Sequence, residues 1–447
     1  MINKVKRSVL YNIEPVGIGT KNVESLTSYL MRVSYEHNLN VGDLISKLVV
    51  PSIGIKYLIR SSKFGGNRFY EGAKTINGYM DNSINLVNVM EELTTRNDLS
   101  SITLLKWKDY IPLRKLFKES LSWCPECLRY MNNNEQRVYF PLLWYLKVVT
   151  VCIEHKYFLT DKCHTCGSKI DILRRKMIVG YCPYCLNSLE VDFNRKTPNA
   201  QELKWQTYVT KNLEDLLINK LPIDFRKRIR GQLNLSKEEL FEGSISKFSN
   251  YLGFSKSTVH SWINGDNFPS LVNLLIICFK LNKNISDLQL SCFSTDTNIF
   301  KVDHHIERSY KKTIRNPLNN EVIVGKLEEL LNRQPPTSMY QVAREIGHDR
   351  RVLYKKYPQQ CKNISRNYSD YLKTKSQQRI KSLKVEIDYA FNSLKKENIY
   401  PSRRKIETFV NKNGLLRERA LQDYWKMLLI KNGFGDNSVR GSLFHDE

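Results

Sequence analysis

The stretch CIEHKYFLTDKCHTCGSK, residues 152–169, puts a histidine three positions after one cysteine and then two cysteines separated by two residues. Read outward, it is the middle of a longer pattern. The chain has ten cysteines, and seven of them lie between Cys124 and Cys185. They fall into four pairs with a two-residue gap: Cys124 and Cys127, Cys152 and His155, Cys163 and Cys166, Cys182 and Cys185. Such a gap lets both members of a tight turn reach one metal, and tetrahedral zinc needs four nitrogen or sulfur ligands. Eight ligands suffice for two zinc ions. The segments between pairs are 24, 7 and 15 residues, long enough for the pairs to meet. Sequential pairing gives one site from Cys124, Cys127, Cys152 and His155 and another from Cys163, Cys166, Cys182 and Cys185; an interleaved pairing stays open. His164 lies inside a knuckle and is read as a bystander.

A disulfide cluster would need an oxidising compartment. The opening MINKVKRSVLYNIEPVG lacks the apolar stretch of a signal peptide, so reduced thiols and metal binding are expected. Both sets are full, with no ligand position open for water, so the expected role is structural rather than catalytic. The acidic residues show no carboxylate set of the kind a two-metal nuclease requires. No Gly-rich loop ending in Gly-Lys-Ser/Thr is present. The expectation is a binding protein, not an enzyme. No apolar run approaches membrane-spanning length.

The formal charge is +25 over 447 residues. Residues 301–447 alone carry 30 basic against 17 acidic side chains, or +13, while residues 1–120, 121–200 and 201–300 carry +6, +4 and +2. A basic excess confined to one segment points to a polyanion, foremost nucleic acid.

Hydrophobic periodicity supplies the remaining organisation. In ESLTSYLMRVSYEHN, residues 24–38, Leu26, Leu30 and Val33 share a helical face, with Tyr29 and Met31 beside it. VGDLISKLV, residues 41–49, reads as a short amphipathic helix, and Gly65-Gly66 marks a loop. Between Ser244 and Leu290 the pattern is that of a helix-turn-helix. Ile245, Phe248 and Leu252 face inward on its first helix, Gly253 makes the turn and Ser255 caps the second helix. That helix buries Val259, Ile263 and part of Trp262, and turns Lys256, Ser257, Thr258, His260 and Ser261 outward. This module resembles the Cro and phage-repressor class, whose second helix enters the major groove. Its outward face has one lysine and several hydroxyls, so the fold is better supported than base reading.

Two similar units follow about 65 residues apart, as a loose repeat. In PPTSMYQVAREIGHDRRVLYKKYPQQC, residues 335–361, Ser338 and Asp349 cap two helices. Val342, Ile346, Leu353 and Tyr357 point inward, and Arg350, Arg351, Tyr354 and Lys355 outward. In YPSRRKIETFV, residues 400–410, Ser402 caps a helix with Ile406, Phe409 and Val410 inward and Arg403, Arg404 and Lys405 near its start. Arginine suits guanine edges and phosphates alike. A long basic helix or helix pair joins the two units. The fold class is therefore mainly α: helix-turn-helix modules around a central double zinc-binding, zinc-ribbon-like region. The expected segments are a helical 1–120, a zinc-binding 121–195, a helical 196–300 holding the Cro-like module, and a basic 301–447.

ESLTSYLMRVSYEHNL with WCPECL, PLLWYLKVVTVCIEH, CHTCGSKI and CPYCL resembles the TniQ family over residues 13–190. The C-terminal units are similar to those of the longer, TnsD-like members. The resemblance implies a bacterial, cytoplasmic protein that selects a transposon's target site. It implies double-stranded target DNA and a TnsC-like AAA+ transposition regulator as partners, with the N-terminal region meeting the regulator. The family's shorter members dock instead on a CRISPR RNA-guided effector, which is the alternative implied here.

Overall fold

Helix α1 (Leu26–Glu36) is buried from Leu26 to Ser34 on every face. The sequence pattern predicts one apolar face; the difference is that α1 runs through the middle of a core, and its polar side chains are satisfied there. Ser25 caps it by accepting from the Ser28 N–H, Asn77 accepts from the Thr27 N–H at 3.0 Å and donates to the Thr27 hydroxyl at 3.0 Å, and Ser34 donates to the Leu30 carbonyl. Glu24 has no exposed surface, accepts from Ser28 at 2.8 Å and the Val16 N–H at 3.2 Å, and pairs with Arg32. Burial pushes the Glu24 carboxyl up, opposed by Arg32 and these hydrogen bonds. Removing one partner of such a pair strands a buried charge and costs about 3–5 kcal/mol. We expect Glu24→Ala to lower stability by that amount, read by denaturant unfolding, and Leu26→Ala to be comparable through its cavity.

The computed structural model describes residues 7–63, 68–134, 136–192, 195–287 and 320–434. The expected Gly65-Gly66 loop and the end of the Cro-like module at Leu290 lie outside these residues. After α1 come α2 (Val41–Leu44), a π-helical turn (Ile45–Val49) and α3 (Val50–Ile53). The single amphipathic helix expected here is thus interrupted just before Pro51, which has no N–H to donate back along an α-helix. Helices α4 (Lys56–Lys63), α5 (Arg68–Glu71), α6 (Asp81–Thr94) and α7 (Pro125–Asn133) follow. A two-stranded antiparallel hairpin pairs β1 (Val151–Cys152) with β2 (Tyr157–Phe158). Then come α8 (Ala200–Ile218), α9 (Phe225–Phe241), α10 (Ile245–Leu252), α11 (Lys256–Asn264) and α12 (Leu271–Lys280).

These elements belong to the first of two compact units, Met1–Val302 and Asp303–Glu447. One continuous apolar core runs from Leu10 to Ile285. Directional bonds tie its sequence-distant parts. The Trp107 indole donates to the Leu216 carbonyl at 3.0 Å, and Gln206 of α8 bonds both the Thr150 N–H and the Val148 carbonyl at 3.0 Å. The Gly42 N–H reaches the Arg175 carbonyl at 2.8 Å, where a Cβ on Gly42 would meet Arg175 Cβ at 3.0 Å. Only glycine lets α2 approach that closely.

The second unit contains α13 (Asn320–Asn332), α14 (Met339–Ile346), α15 (Arg350–Lys356), α16 (Pro358–Lys396), α17 (Arg403–Phe409) and α18 (Arg419–Lys431). The expected long basic connection is one helix, α16, of 39 residues. Among the described residues no helix is long and apolar enough to cross a membrane.

Candidate metal centres and nucleic-acid interface

Three of the four ligand pairs share one local device. The carbonyl of the first ligand accepts the N–H four residues on: Cys152 from Lys156 at 2.8 Å, Cys163 from Gly167 at 2.8 Å and Cys182 from Leu186 at 2.9 Å. That fourth residue takes a left-handed backbone, with φ of 57°, 66° and 65°. The turn points both ligand side chains to the same side. Glycine meets this demand without strain only at Gly167. The remaining pair is built differently: Cys124 is the N-cap residue of α7, Pro125 takes the first helical position, and Cys127 follows one turn on.

The structure brings the eight residues into two groups, Cys124, Cys127, Cys152 and His155, and Cys163, Cys166, Cys182 and Cys185, each with its ligand atoms within 4.8 Å of one another. This is the sequential arrangement, and each group could hold a metal ion. In the first, Cys127 Sγ lies 3.5 Å from Cys152 Sγ, and His155 Nδ1 lies 3.6, 3.3 and 3.5 Å from the three sulfurs in chain order. In the second, Cys163 to Cys185 and Cys166 to Cys182 are both 3.7 Å. A tetrahedral ion with metal–sulfur bonds of about 2.3 Å spaces its sulfurs about 3.8 Å apart. The donor set and its spacing fit such an ion.

Within each group the thiols also hydrogen-bond one another. Hydrogen bonds from Cys124 and Cys127 hold the Cys152 thiol down, to about 2. Hydrogen bonding to Cys124 and Cys152, with burial, pushes Cys127 far up. In the second group Cys182 and Cys185 hold Cys166 down, while Cys182 is pushed up by Cys166 and Cys185. Crowded thiolates repel, and a metal relieves that repulsion. His164 is exposed, lies outside both groups and meets the Thr165 hydroxyl.

Both centres are welded to the core. The Trp123 indole, one residue before Cys124, donates to the Leu189 carbonyl at 3.0 Å, and Leu121 N–H reaches the Ile170 carbonyl at 2.9 Å. Arg129 of α7 bonds Glu126 and the Glu190 carbonyl, so the two centres share a scaffold.

Helices α10 and α11 make the expected helix-turn-helix, with Gly253 in the left-handed turn and Ser255 accepting the Thr258 N–H at 3.3 Å. Lys256, Ser257 and His260 are exposed, and Thr258 and Ser261 half-buried. The inward face differs from expectation: Trp262 is buried beneath Phe254, ring centroids 4.8 Å apart, and Ile263 is only half-buried. The larger ring wins the core position. The hydroxyls are partly committed, Thr258 to Ser255 at 2.7 Å and Ser261 to Asn267 at 2.9 Å.

In the second unit Arg350, Arg351 and Lys355 are exposed on α15. Tyr354, expected outward, is half-buried and hydrogen-bonds Ser365 of α16 at 2.6 Å. Its register on a short helix pressed against α16 turns it inward. On α17, Ile406 is fully buried as expected, but Phe409 is 42% exposed, because its neighbour on α16 is Tyr389, itself exposed, with ring centroids 5.9 Å apart. Arg404 and Lys405 are exposed, whereas Arg403 is half-buried and bonds Glu407 at 3.3 Å.

Residues 15–159, about a third of the chain, match the model of the TniQ family. No curated protein matches the chain. The match contains the whole first centre and stops four residues before Cys163. The similarity to TniQ is thus confined to residues 15–159.

Proposed function

We propose that this protein selects the target site for a transposon. Its C-terminal unit grips duplex DNA, and its TniQ region recruits an AAA+ transposition regulator of the TnsC kind. The TniQ match over residues 15–159 supports the link to transposition. The observation that carries the finer reading is the joining of that region to a separate unit with helix-turn-helix geometry and 24 basic against 12 acidic residues over 320–434. A chain that only bridged other proteins would have no use for such a unit. The two clusters hold zinc, the ion suited to thiolate and imidazole donors in closed tetrahedral sites. Their task is to fix the TniQ scaffold, with no catalytic step.

The division of labour is tested by pull-down. Protein truncated after Val302 should still retain the regulator and lose site selection. Loss of the regulator by the truncated but folded protein would count against this reading.

A further inference from the structure

The second unit is built from two structurally similar halves in tandem. Ser338 and Ser402, 64 residues apart, each cap the short helix that follows a six-residue connection. At the same offset Ile323 matches Ile387, Leu327 matches Phe391, Leu330 matches Leu394 and Val342 matches Ile406, and all eight are buried. Beyond the short helix the offset becomes 68: Leu353 with Leu421, Tyr357 with Trp425, and Cys361 with Leu429, again all buried. Four residues have been inserted in the second turn, which folds as a 3-10 turn over Leu415–Arg417. Thus α13, α14 and α15 correspond to the second half of α16, α17 and α18. The helix equivalent to α15 is α18, not α17, where Arg403, Arg404 and Lys405 lie.

The shared helix α16 separates the copies. Cys361 and Ile364 pack into the first, and Leu383, Ile387, Ala390, Phe391 and Leu394 into the second. From 365 to 382 no residue is buried, and this span has five basic side chains and one acidic. A helical span that buries no side chain over eighteen residues, its few apolar ones included, serves as a bridge between packed bodies. Along it, α15 is anchored at Ser365, through Tyr354, and the start of α18 at Arg379, through Glu418, 14 residues or about 21 Å apart at 1.5 Å per residue.

We propose that the second unit reads a bipartite duplex site, with α15 and α18 as its two reading helices and α16 as the spacer that fixes their separation. This rests on the DNA-binding reading above. On α15 the reading residues are Arg350 and Arg351. On α18 they are Arg419, 94% exposed and 3.9 Å from Asp423, and Gln422. The Arg379–Glu418 ion pair at 2.5 Å seats the start of α18 on the spacer. Arg366, Lys373 and Lys381, which are exposed and share one side of α16, lie along the phosphates between the two reading helices.

The test uses the full chain. A random-sequence duplex library is selected on the purified protein, and the enriched duplex is footprinted with hydroxyl radicals. The second unit should protect two separate patches. Inserting about half a turn, roughly five base pairs, between them should weaken binding at least ten-fold. Arg350→Ala with Arg351→Ala should erase one patch, and Arg419→Ala with Gln422→Ala the other. Arg404→Ala with Lys405→Ala should leave both patches in place. One patch insensitive to the insertion, or loss of a patch in the Arg404 and Lys405 variant but not the Arg419 variant, overturns the spacer assignment while leaving DNA binding intact. Absence of any enrichment removes the DNA-binding reading itself, and this one with it.

Discussion

Purified protein should contain two equivalents of zinc, and stripping them should unfold the first unit. Closed zinc sites in small fingers contribute about 10–16 kcal/mol apparent each, whereas a whole domain is stable by only about 5–15 kcal/mol. Neither centre is an appendage. Cys124, Cys152, Cys163 and Cys182 are buried in the same core as α1, and Trp123 and Leu121 bond across to the second centre's segment. Cys152→Ser should therefore leave one equivalent and lower cooperative stability sharply, and Cys182→Ser should do the same through the other centre. Metal analysis beside thermal unfolding, before and after a chelator, reads both outcomes. A cooperatively folded protein with a stoichiometry near zero would show that the thiol clusters are only close-packed cysteines.

The second large effect concerns the C-terminal unit. Removing residues 303–447 should abolish high-affinity duplex binding while leaving the first unit folded, since the two have separate cores. Each phosphate neutralised by a lysine or arginine releases counterions, so log affinity of the intact protein should fall against log salt with a slope of about −0.9 per contact. Six or more contacts would cost about a thousand-fold between low and physiological salt. Titrations of full-length and truncated protein at several salt concentrations measure this. Unchanged affinity after truncation would make the basic excess a solvated surface and transfer DNA contact to α11, which has a single lysine.

The metal ligands were legible in the sequence because ligand spacing is local chemistry: a two-residue gap makes a knuckle wherever it sits. Caps were legible for the same reason, as Ser255, Ser338, Asp349 and Ser402 each bond an amide two or three residues on. Sequential pairing was left open there, and the tertiary structure decided it by bringing β1 and its turn against α7. Burial depended on what packs on each helix, so α1 came out covered all round, and Trp262 took the place expected for Ile263. Tyr354 turned inward because α15 is about two turns long, too short for periodicity to fix which side meets α16, and Phe409 stayed partly exposed because its partner Tyr389 lies at the rim. Most of all, the loose repeat seen in the sequence had no register of its own. The inserted turn before α18 breaks the spacing, and only the matched burial of Leu353 with Leu421 and of Tyr357 with Trp425 identifies the second copy's last helix. Spacing along the chain determined the chemistry of the metal centres; three-dimensional packing decided which helices are equivalent, because equivalence lies in shared neighbours and not in distance along the sequence.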